Sequence, residues 1–456
     1  MRNEILQNAK TLHFVGIGGI SMSSLALLAR RAGYEVTGSD RNDSALVEEC
    51  RKAGCKITLG HFAESVEGAD AVIYTAAVSF DSPELKRASE LSIPCFSRAE
   101  FLGEVMLAYK TRIGISGTHG KTTTTSMTAH ILIEAQKNPT VANGAVSAAL
   151  NGSALRVGGE DFFVYEACEY KASFHSFFPT VAIITNVELD HTDYYTSLEH
   201  ITDSFRKSLA GAEIAIVNGD DEDALKAASD FGGKLIRFSL QDSSADFFAK
   251  DITFVDGRGR FLLCRDGKAV CEVSLPMIGH FNVANALAAM AAASLCGVSP
   301  KDAAEALATF KGAARRFELK FKQNGITVAD DYAHHPSEIA ATLTGAKNTG
   351  AKRIITIFQP HTYSRTHDLF DGFVKSLSLS DRVILPDIYA ARETDTLGVS
   401  SEALANAIGD KATYMKSFEE IAAFLAKEAK EGDLILTMGA GDVYKIGNLL
   451  KEALAK

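Results

Sequence analysis

Lys121 and Thr122 follow Gly117 and Gly120 in "GISGTHGKTTTT" (residues 114–125), a spacing that suits a phosphate group. Glycines at these places let backbone amides approach phosphate oxygens, Lys121 supplies a compact positive charge, and the Thr122 hydroxyl can ligate Mg2+. The strict loop GxxxxGK[ST] requires a glycine five places before Gly120, where this chain has Ile115. The loop Gly117, Thr118, His119, Gly120 is therefore a shortened variant. Its flanks support it: "TRIGIS" predicts a strand and "KTTTTSMTAHILIEA" a helix, whose first turn carries Lys121, Thr122 and Thr123. Amides and dipole at such a helix start attract anions.

Hard oxygen donors follow two more apolar runs of the same region. Glu166 lies in "VYEACEY", and Asn186, Asp190 and His191 lie in "TNVELDHTD". Strand ends of one unit could bring them beside the phosphates as metal ligands. Nearer the start, "GIGGIS" has Ser21 where the dinucleotide fingerprint has its third glycine, and Asp40 stands at a distance that suits a ribose hydroxyl. Taken alone, that loop fits NAD or a UDP moiety equally. Towards the C-terminus, "DDYAHHP" (330–336) and "QPHTYSR" (359–365) are dense in groups that can hold a carboxylate or polarise an amine. A metal site on His334, His335 and His361 is the alternative there, without HExxH or Cys/His spacing behind it.

These groups need scaffolds. At 456 residues the chain suggests two to four domains, at roughly 150 residues each. The pattern predicts an α/β protein of three: Rossmann-like over 1–108, a central P-loop-type ATPase-like unit with a mostly parallel sheet over 109–314, and a Rossmann-like unit over 315–456. Strands are expected at "DAVIYTAAV" and "IPCFS" with the helix "SPELKRASEL" between them, then at "FFVYEACEY", "TVAIITNVELDH" and "EIAIVNGDD". Four more are expected in the last unit, at "GITVADDYAHHP", "RIITIFQPHTYSR", "RVILPDIYAARE" and "GDLILTMGAGDVY". In each, polar groups follow an apolar run, so the loops of three sheets can converge on one cleft.

Composition narrows the class. A net charge of -10 argues against a general nucleic-acid binder. No stretch approaches the roughly 18 apolar residues of a membrane span, and the N-terminus lacks a signal peptide's apolar core. Seven cysteines without a CxxC pair read as reduced thiols of a cytoplasmic protein.

The ordered set "GTHGKTTT", "EACEY", "TNVELDH", "NVANALAA", "RRFE", "DDYAHHP", "FQPHTYSRT" and "LTMGAGDVY" resembles the Mur ligases, ATP-dependent amide-bond synthetases of cell-wall assembly. Within that family, "HFVGIGGISMSSLA" and "DDYAHHPSEI" resemble the branch that joins L-alanine to UDP-N-acetylmuramate. The resemblance implies that Lys121 contacts ATP phosphates, that Thr122, Glu166 and His191 hold Mg2+, and that Asn282 and Asn285 recognise adenine. It also implies nucleotide contacts from Arg316 and Asp331, amino-acid contacts from Tyr332, His334 and Arg365, and UDP-sugar contacts from Gly16, Gly18, Gly19, Asp40 and His61. A monomer or weak homodimer acting without nucleic acid or membrane is the matching expectation. Three positions depart from the family pattern. Thr362 stands where some relatives have arginine, and Phe281 where histidine often precedes the adenine-site asparagine. Where several branches carry a carbamylated lysine, this chain has Phe205 and Arg206, with Lys207 nearby.

Overall fold

The computed structural model describes residues 3–75, 78–79, 81–192, 194–255, 257–391 and 393–455. Its strands form three sheets in chain order. The first holds β1 (Thr11–Val15), β2 (Glu35–Asp40), β3 (Lys56–Leu59), β4 (Ala71–Tyr74) and β5 (Cys95–Ser97). Its order is β3-β2-β1-β4-β5, and every pairing is parallel. Strand order reverses between β1 and β4, which opens a crevice at their carboxyl ends, and Gly16 lies there directly after β1.

The central sheet holds β6 (Thr111–Ser116), β7 (Thr140–Ser147), β8 (Ser153–Arg156), β9 (Phe162–Glu166), β10 (Val181–Ile184), β11 (Ile214–Asn218), β12 (Lys234–Ser239), β13 (Phe247–Val255), β14 (Arg258–Arg265) and β15 (Lys268–Leu275). Its order is β15-β14-β13-β12-β11-β10-β6-β9-β7-β8. Pairing is parallel from β13 to β7, with antiparallel additions at both edges. The third sheet holds β16 (Glu318–Gln323), β17 (Ile326–Asp331), β18 (Arg353–Phe358), β19 (Arg382–Leu385), β20 (Ala412–Tyr414) and β21 (Asp433–Met438), in the order β16-β17-β21-β18-β19-β20 with β16 alone antiparallel. Continuous apolar runs such as "VAII" in β10 and "DLILTM" in β21 are buried along their length, as strands covered by helices on both faces must be.

The run that forms β12–β15 is not among the strands expected from the sequence, and neither are β3, β7, β8, β16 and β20. Ala76, Ala77 and Arg392, inside two expected strand segments, and Asp193 lie outside the described residues. Among the described residues no helix is long and apolar enough to cross a membrane.

Helix Lys121–Glu134 packs on helix His280–Leu295, whose alanines at 286, 288 and 289 are fully buried and allow a close approach. At Gly120, just before the first helix, a Cβ would lie 2.6 Å from Asn285 Oδ1 of the second. One buried apolar cluster runs from Phe14 and Phe101 of the first lobe into Phe163, Tyr165 and Phe174 of the central lobe. The third lobe keeps two clusters of its own. First and central lobes thus share a core, whereas the clusters of the third are separate from it.

Candidate active site

The glycine loop 117–120 is held by its neighbours. Thr118 N–H donates to Asn186 O (3.0 Å), His119 N–H to Asn186 Oδ1 (2.8 Å), and the Thr185 hydroxyl to His119 O (2.6 Å). Gly117 has φ +140 and Gly120 φ +84, conformations that L side chains rarely adopt. Lys121 Nζ donates to Gly117 O (2.5 Å) and Thr118 O (2.9 Å), and sits 2.9 and 2.8 Å from the two oxygens of Glu169. Burial opposes its charge, but the carboxylates of Glu169 and Glu166 hold its pKa above that of an ordinary lysine. Glu169, itself 1% exposed, is held ionised against burial by Lys121 and by His191, whose Nε2 is 3.4 Å away.

The chemistry of the donor set fits a hard divalent cation. Thr122 Oγ1 donates to Glu166 Oε2 at 2.7 Å, and Gly144 N–H donates to the same oxygen at 3.1 Å. A Cβ at Gly144 would lie 2.3–2.5 Å from the Glu166 carboxylate, so only glycine leaves that carboxylate its place. His191 stands at left-handed φ 53 with its ring against Tyr170, and its Nε2 meets the carboxylates of Glu169 (3.4 Å) and Asp190 (3.9 Å) rather than Glu166. Phe205 is buried against Phe174, Arg206 pairs with Asp203 on the surface, and Lys207 is exposed.

A cavity of about 220 Å³ opens beside the loop. Its walls include His119, Gly120, Thr123, Phe281, Asn282 and Asn285 of the central lobe and Arg316, Asp331, Ser337 and Glu338 of the third. Asp331 accepts from Phe317 N–H (2.9 Å) and Ala333 N–H (2.8 Å), and burial pushes its pKa up to about 6. Arg316 reaches Glu338 at 3.6 Å, while Arg315 turns back to Asp330 (2.9 Å) and the carbonyls of Gly439 and Gly441. The guanidinium at 316 thus faces the cavity and the one at 315 anchors its own lobe.

Polar groups close the seam between these lobes. His119, Glu188 and His335 have their ligand atoms within 4.8 Å of one another, a metal-like spacing. The Ser337 hydroxyl already fills the centre, at 2.9 Å from His119 Nε2, 2.7 Å from Glu188 Oε2 and 2.7 Å from His335 Nδ1. The set is therefore a hydrogen-bonded latch. His119 Nδ1 lies 3.2 Å from Glu338 Oε1. Against burial, Glu338 and Glu188 raise the His119 pKa to about 9, and His119 in return holds Glu188 at about 2. The alternative metal set does not assemble, because His335 turns to the latch while His361 stacks on Tyr389.

Arg365 makes the second bridge. Its Nε and Nη2 lie 3.2 and 3.1 Å from Asp190 Oδ1, and Nη1 is 3.4 Å from His361 Nδ1. Burial raises the Asp190 pKa, but Arg365 and His191 hold it far below the carboxylate range. Tyr332 packs edge-on against His334 and under Arg316. Thr362 takes φ 67 at the start of helix Tyr363–Asp368, so it sets the turn that delivers Arg365.

In the first lobe, Gly18 N–H donates to Asp40 Oδ2 (2.8 Å), and a Cβ at Gly18 would lie 2.8 Å from that oxygen. Gly16 has φ +79, and Gly19 starts helix Ile20–Arg31 without a side-chain cap. His61 lies beside this loop, its Nδ1 3.2 Å from Ser39 Oγ. A second cavity of about 190 Å³ joins Ser21, Ser24 and Arg98 of this lobe to Asn143, Gly144 and Glu166 of the central one. Glu84, Glu169, Glu188, Ser337 and Glu338 were not singled out from the sequence. The second acid of "EACEY" and the first of "ELDH" were in the quoted motifs, but an acid in a loop reads as solvated until its cation is placed.

Three family models match the chain: the Mur ligase family catalytic domain over residues 11–110, the Mur ligase middle domain over 115–293 and the Mur ligase glutamate ligase domain over 315–441. The UDP-N-acetylmuramate–L-alanine ligase of Clostridium novyi is 45% identical over 99% of both chains. The structure of the UDP-N-acetylmuramate-alanine ligase of Thermotoga maritima superposes with a TM-score of 0.82 at 30% identity, covering 98% of this chain and 99% of that one. A murein peptide ligase from Psychrobacter arcticus has a TM-score of 0.71 at 29% identity, with 98% and 99% covered.

Proposed function

The chain belongs to the Mur ligase family, and from that premise we propose that it joins L-alanine to the carboxylate of UDP-N-acetylmuramate, converting ATP to ADP and phosphate in peptidoglycan precursor synthesis. A carboxylate resists amines because its charge is delocalised and its leaving group would be oxide. Transfer of the γ-phosphoryl group from ATP to a carboxylate oxygen turns that oxygen into part of a phosphate leaving group. The neutral amine of L-alanine then attacks the acyl carbon, and the tetrahedral intermediate collapses to the amide, expelling phosphate and losing a proton from nitrogen.

The observation that carries this reading is Glu166, which bonds Thr122 beside the phosphate loop and also lines the cavity that opens to the first lobe. Nucleotide bound in the larger cavity, against Asn282, Asn285, Arg316 and Asp331, would direct its terminal phosphate towards that acid. Phosphoryl transfer depends chiefly on position and charge neutralisation. Lys121 serves the second need by exchanging its loop carbonyls for phosphate oxygens. Mg2+ held by Thr122, Glu166 and His191 would supply further neutralising charge. Residues 1–108 bind the UDP-sugar, 109–314 bind ATP, and 315–456 contribute Tyr332, His334 and Arg365 to the amino acid. Docking of the third lobe excludes water from the acyl phosphate. The place of action is the cytoplasm.

Phosphate release with ATP and UDP-N-acetylmuramate, measured for amino acids one at a time and for a preformed peptide, tests the assignment. L-Alanine is expected to give the highest kcat/KM. Turnover with the peptide alone would assign the chain to the peptide-ligating relatives instead.

A further inference from the structure

Beneath the glycine loop of the first lobe lies a carboxylate that the reaction does not use. Glu84 is fully buried, and each of its oxygens meets an imidazole: Oε1 is 3.3 Å from His13 Nε2, and Oε2 is 2.6 Å from His61 Nδ1. His13 is 1% exposed, and its other nitrogen is 2.8 Å from the Thr37 hydroxyl. It therefore locks the carboxylate rather than meeting a ligand. His61 keeps 17% of its side chain exposed, and among the described residues its Nε2 has no partner. Ser39, which shares His61 Nδ1, precedes the Asp40 that holds Gly18.

We propose that Glu84 is a positioning residue for the nucleotide-sugar: its Oε2 fixes His61 as the Nδ1-protonated tautomer, so that Nε2 accepts a hydrogen bond from an N–H or O–H of the UDP moiety. An ionised carboxylate can only accept, so the proton on the shared edge belongs to His61. Burial works against that ionisation, but the two imidazoles and the Ser39 hydroxyl outweigh it and leave the Glu84 pKa below the ordinary value. The arrangement is the carboxylate–histidine pair that orients metal-binding imidazoles, here turned towards an organic donor.

The inference rests on the reading of the first lobe as the UDP-sugar site, and the test separates the two. In the full-length enzyme, Glu84→Gln should raise the KM for UDP-N-acetylmuramate about 10-fold, with kcat and the KM for ATP changed less than about twofold. His61→Ala should do the same, and the double variant should be no worse than His61→Ala alone, because one contact is lost in all three. Effects that multiply would mark Glu84 as merely structural and overturn the inference. So would an unchanged KM in Glu84→Gln beside a raised one in His61→Ala. An unchanged KM in His61→Ala would remove the UDP site from this loop, and the inference with it. A UDP-sugar methylated at the uracil imide nitrogen, compared with one lacking a ribose hydroxyl, identifies the donor: the analogue missing it should bind wild type and His61→Ala equally, and no such analogue would contradict the proposed bond. Imidazole 15N NMR of the unaltered protein reads the tautomer without any variant, and a proton on His61 Nε2 at neutral pH would overturn it.

Discussion

Lys121 spends its three donors on Gly117 O, Thr118 O and Glu169 in this arrangement, so the ammonium is preplaced but not committed. Lys121→Ala should lower kcat for phosphate release at least about 100-fold, as loss of a charge-stabilising donor does; steady-state turnover near wild type would remove it from the reaction. Gly144 makes a sharper test. A methyl group there must share space with the Glu166 carboxylate at 2.3–2.5 Å, so Gly144→Ala should cost activity comparably while leaving nucleotide affinity, read by calorimetry without divalent ion, close to wild type. Equal loss of both would mean that the loop itself had collapsed. Lys121 and Thr122 stand out in the sequence because their chemical types follow glycines at a helix start, and Glu166 because it is an acid at a strand end. Gly144 and Glu169 were not legible, because neither a missing Cβ nor a buried partner can be inferred from residue type. Gly144 matters because β7 lies beside β9 and brings it against the Glu166 carboxylate, and Glu169 because its buried carboxylate meets Lys121.

The elements were legible where a single periodicity prevails. β6, β10, β18 and β21 are near-continuous apolar runs ending in polar groups, and the structure has strands at each. The antiparallel edge β13–β15 carries a weaker signal. One of its turns is "RDGK", where Asp266 (φ 48) and Gly267 (φ 74) both take the left-handed conformation of a tight hairpin. That turn was readable, but the flanking strands mix exposed charges with apolar residues and lie outside any βα alternation. The strand–loop–helix unit around residue 117 also supports a prediction. Gly117→Ala would place Cβ 1.9 Å from Thr185 Oγ1 at a φ of +140, so the loop must move off β10. Strained backbone of this kind costs about 1–3 kcal/mol; the clash adds to it, and the expected result is a lower Tm together with loss of ATP binding. An unchanged Tm with full ATP affinity would mean that the loop relaxes freely, despite its hydrogen bonds to Thr185 and Asn186.

Across the whole molecule the lobes are joined unequally. The first and central lobes share an apolar core, while the third is docked by the His119–Glu188–Ser337–Glu338 latch and by Arg365 on Asp190. Charged and hydrogen-bonded seams depend on pH. The groups facing His119 are Glu188 from the loop after β10 and Glu338, Ser337 and His335 from the third lobe. Glu338 of the third lobe and Glu188 of the central lobe together raise the His119 pKa from 6.5 to about 9; docking supplies the Glu338 share of that rise, which is fully present below about 6.5 and fades as pH rises through 9. That interval is worth at most about 3 kcal/mol. The carboxylate side has the opposite sign: Glu188, lowered from 4.5 to about 2, contributes fully above 4.5 and loses its contribution only in strong acid. His334 and His361 are both pushed down to about 4 and stay neutral throughout, and Asp331, raised to about 6, has finished ionising by about pH 7.5. Between pH 7.5 and 9.5, then, His119 is the seam group expected to change charge. Small-angle scattering of the ligand-free protein should show the radius of gyration increasing over that interval, as undocked third lobes accumulate. Glu338→Gln should shift the rise to lower pH, since it removes the largest support for the charged imidazole. A radius constant from 7.5 to 9.5 in both proteins would mean that the remaining contacts, Arg365 with Asp190 and Thr192 with Asp368, hold the lobe without the latch.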